Sequence, residues 1–272
     1  MKTDSHTYPE SELVLLAVNA AVKAGEAIME IYQKDFSVEY KEDKSPLTDA
    51  DRSAHQVIKS HLQDSFPILS EEGKSISYDE RKNWNVFWLV DPLDGTKEFV
   101  KKNDEFTVNI ALIRNNKPAI GVVYGPAIST LYFGSEEMGS YKCIIEPGSW
   151  CNSLNDLISI SEKMYGDLDL PGYTIVASRS HLNPETKEFI DRAEADHKEV
   201  KLVSKGSSIK LCLVAEGNAN VYPRLAPTME WDTAAAHAVA KFAGCQVIDY
   251  NTKEELRYNK EDLLNPYFLV SR

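Results

Sequence analysis

The segment Trp88–Phe99 reads WLVDPLDGTKEF and decides how the rest of the chain is interpreted. Its first three residues are large and apolar, which is typical of the end of a buried strand. Pro92 and Gly95 flank Asp94, and this composition predicts a tight turn. The sequence therefore places the two aspartates of this segment where a buried strand gives way to a loop.

Asp91 and Asp94 lie three residues apart on this predicted turn. Two carboxylates this close repel each other unless a cation lies between them. Carboxylate oxygens are hard ligands that suit Mg²⁺ or Mn²⁺. The alternative is a solvated, Asp-rich turn without a ligand, which is the commoner explanation of an isolated D-x-x-D motif. Carboxylates elsewhere in the chain decide between these two explanations.

The composition limits the class of protein and the kinds of partner that the chain can bind. A chain of 272 residues is long enough for one large domain or two moderate ones. Its hydrophobic share of 43% and charged share of 26% are those of an ordinary globular protein. The formal net charge of -12 opposes non-specific binding to nucleic acid. The same charge means that an anionic substrate needs cations close to its site.

The cysteines and the N-terminus indicate the compartment. The four cysteines form no C-x-x-C pair, and reduced thiols in a cytosolic protein are the simplest explanation. The first residues, MKTDSHTYPESEL, lack the basic region and apolar core of a signal peptide. No apolar run approaches the length of a membrane span. We therefore expect a cytoplasmic protein, with peripheral association with the inner membrane left open.

The spacing of apolar residues predicts two halves. Residues 1–147 are expected to contain a helix over Ser11–Tyr32 with Ser11 as its cap, a second helix ending near Gln63, and then antiparallel strands. The first of the long strands is expected over Trp84–Val90. Residues 148–272 alternate strands with helices, which is typical of an α/β arrangement. We expect one compact unit of the α+β / α/β class.

Three further acidic positions lie at the ends of predicted elements. Asp51 lies in the first turn of the second helix, either to compensate the helix dipole or to act as a base or orienting group in a site. The run PILSEE ends in the paired glutamates Glu71 and Glu72, which form either a solvated strand end or, through Glu71, a third metal ligand. Asp232 opens a helix over Trp231–Ala243, where free N–H groups attract phosphate and a carboxylate can hold a metal. Without a lysine-bearing P-loop, this combination favours phosphate monoester hydrolysis by in-line displacement between two metal ions.

The combination of SEE at 70–72, WLVDPLDGTKEF and WDTAAAHAV resembles the inositol monophosphatase-like superfamily of lithium-sensitive, magnesium-dependent phosphatases. Within it, the chain is most similar to the CysQ-type 3'(2'),5'-bisphosphate nucleotidases of sulfur metabolism. The narrower features are FTVNIALI, SRSH at 178–181, GSSIK at 206–210 and LVAEGNANVYPR. The inositol phosphatases usually carry D-G-T-x-N-F, whereas this chain has Lys97-Glu98-Phe99 after the threonine.

The resemblance implies a layered αβαβα sandwich of the inositol monophosphatase/fructose-1,6-bisphosphatase type and a set of site residues. The implied ligands of two or three Mg²⁺ ions, with Mn²⁺ as the alternative, are Glu71, Asp91, the backbone carbonyl of Leu93, Asp94 and Asp232. Glu71, Asp51 and Thr96 are implied in catalysis, the last two as the pair that orients or deprotonates the attacking water. The implied substrate-binding residues are Gly95, Thr96, His181, Ser207, Lys210, Arg224 and Asp232. Asp49 matches no role.

The implied reaction is hydrolysis of the 3'-phosphate of adenosine 3',5'-bisphosphate to AMP by metal-activated water, with the sulfated nucleotide as a second substrate. An inositol or sugar phosphatase is the first alternative. A regulatory binding protein on a phosphatase scaffold is the second, since fold does not fix function. Loss of a metal carboxylate would mark that alternative, and none is missing. The implied partner is a small molecule, and we expect a monomer or homodimer.

Overall fold

The computed structural model describes residues 8–34, 37–40, 46–165, 170–177 and 183–272. The helices in these ranges are α1 (Glu10–Tyr32), α2 (Asp49–Leu62), α3 (Tyr78–Arg81), α4 (Thr96–Val100), α5 (Leu154–Ser159), α6 (Pro184–Asp196), α7 (Ile209–Ala215) and α8 (Glu230–Phe242). A 3-10 turn lies at Pro126–Ile128. None of these helices has the length and apolar character needed to cross a bilayer.

The strands divide between two main sheets and a small hairpin. They are β1 (Val38–Tyr40), β2 (Pro46–Thr48), β3 (Ile68–Ser70), β4 (Val86–Asp94), β5 (Thr107–Arg114), β6 (Lys117–Gly125), β7 (Thr130–Ser135), β8 (Gly139–Ile144), β9 (Glu162–Met164), β10 (Tyr173–Ala177), β11 (Val200–Ser204), β12 (Val221–Arg224), β13 (Gln246–Asp249) and β14 (Phe268–Ser271). The first main sheet has the order β3-β4-β5-β6-β7-β8-β9, and the second has the order β11-β10-β12-β14-β13. In the first sheet only the β3–β4 pair is parallel among the described strands.

The layers follow from the alternation of apolar side chains along the strands. Trp88 and Val90 of β4 pack in one core with α1 and α2, whereas Phe87 and Leu89 pack on the opposite face with α8. A strand buried on both faces reads as a continuous apolar run, which is why the segment before Asp91 carries no polar residue. The second sheet covers α7 and α8, and α6 covers that sheet from outside. The layers are therefore α, β, α, β and α, as expected from the resemblance.

The structure corrects several local expectations. Helix α1 begins at Glu10 with Pro9 at its N-cap, so Ser11 is not the cap. Strand β4 does not end at Val90 but continues to Asp94, and the chain turns only at Gly95, whose φ is +92°. The short elements α3, α5 and β9 were not predicted, because each is too brief to show a periodic pattern.

The expected division at residues 147 and 148 stays a proposal. Strand β9 lies beyond that point in the chain and still pairs with β8 of the first sheet. Helix α8, which is also in the second half, packs against the first sheet. The two halves therefore share one continuous core.

Helix α8 approaches the first sheet most closely at Gly121 of β6. A Cβ placed on Gly121 would overlap the carbonyl oxygen of Ala235 and would lie 2.6 Å from the Cβ of Ala238. The backbone of the helix that carries Asp232 can therefore rest directly on the strand only because position 121 has no side chain.

We predict that Gly121→Ala lowers the free energy of unfolding by about 1–3 kcal/mol, since the added methyl group must push α8 away from β6. Urea denaturation followed by circular dichroism measures this change. The half-buried Ala119, two positions earlier in the same strand, gives a matched control through Ala119→Ser. Equal stability of Gly121→Ala and the wild type would contradict the close approach.

Candidate functional site

The end of β4 is shaped by a bulge. Asp91 pairs with Asn109 of β5 and Asp94 pairs with Thr107, so two residues of β4 lie opposite the single residue Val108. The backbone N–H of Leu93 donates to the Asp91 carboxylate at 3.0 Å, which fixes that side chain. The extra residue bends the strand, and both aspartates remain part of a paired strand instead of a free loop.

Three carboxylates from three segments meet beside this bulge. Glu71, Asp91 and Asp232 each offer a carboxylate oxygen, and these oxygens all lie within 4.8 Å of one another. Glu71 follows β3, and its N–H donates to the Val90 carbonyl at 3.1 Å, which extends the parallel pairing with β4. Asp232 lies in the first turn of α8 and accepts a hydrogen bond from the Met229 N–H at 2.8 Å. Such spacing fits ligands of one cation, whose oxygens lie about 2.0–2.6 Å from the metal.

Asp94 lies next to this cluster but is held by other contacts. Its Oδ2 accepts the backbone N–H of Ser208 at 2.6 Å and the side-chain amide of Asn109 at 3.4 Å. Asp94 is not one of the three residues whose ligand atoms converge, although its charge acts on both Asp91 and Asp232. The structure therefore brings the expected acidic residues to one place, and their individual ligand roles stay predictions.

The electrostatics of this group are unfavourable without a cation. Burial raises the pKa of Asp91 well above its usual value, and repulsion from Glu71, Asp94 and Asp232 raises it further. Burial, followed by repulsion from Asp94, raises the pKa of Asp232 to about 8. Burial raises the pKa of Asp94 to about 6, even though the positive charge of Lys210 acts in the opposite direction. A divalent cation would remove the repulsion and stabilise the charged forms.

Asp51 caps its helix and also contacts Thr96, and its role as a base or orienting group stays a prediction. Its Oδ2 accepts hydrogen bonds from the N–H and the hydroxyl of Thr48, both at 2.7 Å, which completes the capping box of α2. Its Oδ1 accepts the hydroxyl of Thr96 at 3.2 Å, and burial raises the Asp51 pKa to about 6. Thr96 opens α4 directly after Gly95. The capping box of α2 therefore contacts the first residue of α4.

A cavity of about 320 Å³ opens between the two sheets at this point. Its lining residues include Asp94 and Asp232 together with Ser207, Lys210 and Arg224. The Lys210 ammonium is buried, donates to the Ser207 carbonyl at 2.6 Å and lies 5.8 Å from the centre of the Tyr222 ring. Burial lowers the pKa of Lys210 to about 8, and the carboxylate of Asp94 opposes this change. A cavity lined both by carboxylates that can hold a cation and by cationic side chains suits a substrate that carries more than one anionic group.

The predicted site residues reach this region from both halves of the chain. Gly95 and Thr96 lie at the turn after β4, and the carbonyl of Leu93 accepts the Thr96 hydroxyl at 3.3 Å. His181 and the rest of SRSH lie outside the described residues. Asp49 is exposed and pairs with Arg52 at 3.3 Å, which is a surface contact away from the cavity.

A buried polar network behind Asp232 was not predicted. Glu230, the first residue of α8, has no exposed surface and accepts the N–H of Asn259 at 2.6 Å and the N–H of Lys260 at 3.0 Å. The Lys260 ammonium also donates a hydrogen bond to the Glu230 carboxylate. Arg81 of α3 donates to the side chain of Asn259 at 2.8 Å and to the backbone carbonyls of Lys260 and Glu261 at 2.6 and 3.0 Å. The network fixes the helix start that carries Asp232. An acidic residue at a helix N-terminus is too common in sequences to indicate it.

The layered αβαβα fold and the buried cluster of carboxylates are together typical of a metal-dependent family of sandwich-fold proteins. The chain belongs to the inositol monophosphatase family, whose model matches residues 10–272.

Within this family the chain is similar to bacterial proteins named for one activity. The 3'(2'),5'-bisphosphate nucleotidase CysQ of Shigella flexneri is 43% identical over 257 residues, which covers 92% of this chain and 96% of that protein. The crystal structure of CysQ from Bacteroides thetaiotaomicron, described as a bacterial member of the inositol monophosphatase family, has a TM-score of 0.89. It is 50% identical and covers 96% of this chain and 97% of that one. The Thermotoga maritima IMPase, with a TM-score of 0.68 and 22% identity over 96% and 92% of the two chains, shares the fold.

We predict that Glu230→Ala lowers the free energy of unfolding by about 3 kcal/mol, since it leaves the Lys260 ammonium and two backbone N–H groups without their acceptor. Chemical denaturation of the metal-free protein measures this loss. Glu261→Ala, at an exposed position of the same loop, is the control and is expected to change stability by less than about 0.5 kcal/mol. Equal effects of the two substitutions would show that the network does not stabilise this region.

We also predict that the metal-free protein loses thermal stability as pH rises from about 5 to about 9. Carboxyl groups whose pKa is raised in the folded state stabilise it at low pH, and this contribution is lost as pH rises through their folded values, about 6 for Asp94 and about 8 for Asp232. Added Mg²⁺ must bind the deprotonated forms, so its stabilising effect is expected to grow over the same range. Melting curves with and without Mg²⁺ measure both trends.

Asp232→Asn provides the control for this pH dependence. The substituted side chain cannot titrate, so the variant is expected to lose less stability between neutral and alkaline pH than the wild type. If the variant and the wild type have the same pH profile, the carboxylate cluster is not the origin of the dependence.

Proposed function

We propose that the protein is a Mg²⁺-dependent phosphatase that hydrolyses the 3'-phosphate of adenosine 3',5'-bisphosphate to give AMP. The observation that carries this proposal is the cavity whose lining combines Asp94 and Asp232 with Lys210 and Arg224. The relatives named 3'(2'),5'-bisphosphate nucleotidase CysQ, at 43% identity over nearly their whole length, support the same activity.

The donor set fits a hard divalent cation. Glu71, Asp91 and Asp232 supply oxygen atoms within 4.8 Å of one another, and Asp94 and the Leu93 carbonyl are close enough along the chain to complete one or two further positions. Mg²⁺ prefers such all-oxygen ligands, and Mn²⁺ accepts the same set. When bound, these ions supply Lewis acidity to the phosphate and to a water molecule.

Asp51 and Thr96 are proposed to position and deprotonate the attacking water. Because the Thr96 hydroxyl donates to Asp51, its oxygen is free to accept a hydrogen bond from water. A pKa of about 6 leaves Asp51 mostly ionised at neutral pH and still basic enough to take up a proton. The water oxygen bonds to phosphorus as the bond to O3' breaks, and O3' keeps the electron pair and acquires a proton. The products are AMP and inorganic phosphate.

The second phosphate is proposed to bind the cationic residues that line the cavity. Arg224 donates one guanidinium N–H to the Pro227 carbonyl at 2.9 Å, which orients the group. Lys210 is buried beside it, and a buried cation attracts an anion much more strongly than an exposed one. A monophosphate such as inositol 1-phosphate has no group to place there, which favours the nucleotide over the inositol phosphates. The sulfated nucleotide keeps a 5'-anion and is proposed as a second substrate.

The cellular setting is part of the same proposal. The net charge of -12 supports a small-molecule partner over nucleic acid. We propose a cytoplasmic enzyme that acts as a monomer or homodimer, built from the halves 1–147 and 148–272.

We predict that Asp94→Asn reduces turnover of adenosine 3',5'-bisphosphate by about a hundredfold or more, because the neutral amide cannot support the metal charge. Phosphate release in the presence of Mg²⁺ measures this loss, and the melting temperature checks that the variant is folded. Asp79→Asn, at an exposed position paired with Lys82, is the control and should keep full activity.

The same assay with inositol 1-phosphate tests the substrate class. The wild-type protein is expected to prefer the bisphosphate nucleotide, and a clear preference for the inositol phosphate would reject the nucleotidase assignment. Absence of phosphatase activity on both compounds, despite tight Mg²⁺ and nucleotide binding, would instead support the regulatory alternative.

A further inference from the structure

Three buried polar atoms without a hydrogen-bond partner belong to residues that line the cavity: Ser204 Oγ, Ser207 Oγ and Arg224 Nε. A buried polar atom without a partner is costly, and native proteins contain few of them. Within the described ranges, only three further side-chain atoms share this state, and none of their residues lines the cavity. Half of these unsatisfied atoms therefore belong to the lining of one cavity, which is the arrangement expected of a site that receives a polar ligand.

Ser204 is held in place relative to the acidic cluster. It is the last residue of β11, and the loop 205–208 that follows packs tightly on the segment after β4. A Cβ on Gly206 would lie 2.7 Å from the Glu105 carbonyl oxygen and 2.9 Å from the Cγ of Glu98, so no larger residue fits without movement. The loop ends at Ser208, whose N–H donates to Asp94. The Ser204 hydroxyl is therefore fixed with respect to the carboxylates.

Two further lysines line the cavity. Lys205 follows Ser204 directly, and Lys101 lies at the end of α4. Both are exposed, unlike the buried Lys210. Lys205 lies 3.5 Å from the carboxylate of Glu105, which lines the same cavity.

We propose that Ser204, Lys205 and Lys101 form an outer anion subsite that selects substrates carrying a second anionic group remote from the scissile phosphate. This inference rests on the proposed function and adds residues to it. The Ser204 hydroxyl donates a hydrogen bond to the second phosphate, beside the N–H of Arg224 Nε. Lys205 and Lys101 neutralise the same group from the solvent side. The subsite therefore distinguishes a bisphosphate nucleotide from a nucleotide with a single phosphate.

The test compares adenosine 3',5'-bisphosphate with adenosine 3'-monophosphate, which lacks the second phosphate. Ser204→Ala is expected to raise KM for the bisphosphate about tenfold with little change in kcat, since a hydrogen bond to a charged group is lost. The KM for the monophosphate is expected to stay the same. Ser204→Thr keeps the hydroxyl and should restore the wild-type KM. Ser135→Ala, which removes another buried and unpaired hydroxyl outside the cavity, is the matched control and should change neither KM.

The lysines are tested by the salt dependence of binding. The double variant Lys101→Met, Lys205→Met is expected to raise KM for the bisphosphate about fivefold at low ionic strength, and less at high ionic strength, because exposed charges are screened. Lys201→Met removes a lysine of β11 that pairs with Glu199 at 3.2 Å outside the cavity, and should have no effect.

The outcomes separate this inference from the proposed function. If the wild-type protein hydrolyses the bisphosphate but Ser204→Ala changes KM equally for both substrates, or for neither, the outer subsite is overturned and the proposed function stands. If the wild-type protein does not hydrolyse the bisphosphate, both are overturned. A selective rise in KM for the bisphosphate that the threonine variant reverses supports the subsite.

Discussion

The carboxylates buried at the end of β4 repel one another, and this repulsion constrains the fold around them. Asp91 is almost fully buried within reach of the charges of Glu71, Asp94 and Asp232. Removing such charges from water is unfavourable unless a cation or strong donors compensate. The surrounding fold must therefore hold the carboxylates together against their repulsion. The tight packing of β4 between two cores, with Phe87 and Trp88 fully buried on opposite faces, supplies that rigidity.

The sheet topology explains why residues distant in sequence meet at this point. Parallel pairing of β3 with β4 places Glu71 beside the end of β4, while the bulge keeps both Asp91 and Asp94 on a paired strand. Helix α8 brings Asp232 from the opposite layer and can do so because Gly121 lets the helix backbone approach the sheet. The buried network around Glu230 then fixes the first turn of that helix. Each contribution comes from an element whose position is determined by packing elsewhere.

The cavity brings two kinds of charge together over a short distance. Its lining combines carboxylates with a buried lysine, an arginine and residues whose buried hydroxyl groups have no partner. For a chain with a net charge of -12, this local concentration of cations allows an anionic ligand to approach. In the proposed function, these cations use binding energy from the non-reacting end of the substrate to align the reacting end. The further proposal assigns the unsatisfied atoms of the same lining to hydrogen bonds with that end.

The sequence alone was sufficient for the elements with strong local signals, and the motifs shared with a known family predicted the residues of the site. Apolar spacing identified α1 and the approximate end of α2. It did not determine that β4 continues to Asp94, since that depends on pairing with Thr107 across the sheet. Nor could it reveal the burial of Glu230 or the unpaired hydroxyl of Ser204, whose neighbours are distant in the chain. Local propensity acts over a few residues, whereas burial, pKa and unmet hydrogen bonds depend on which distant segments the tertiary structure brings together.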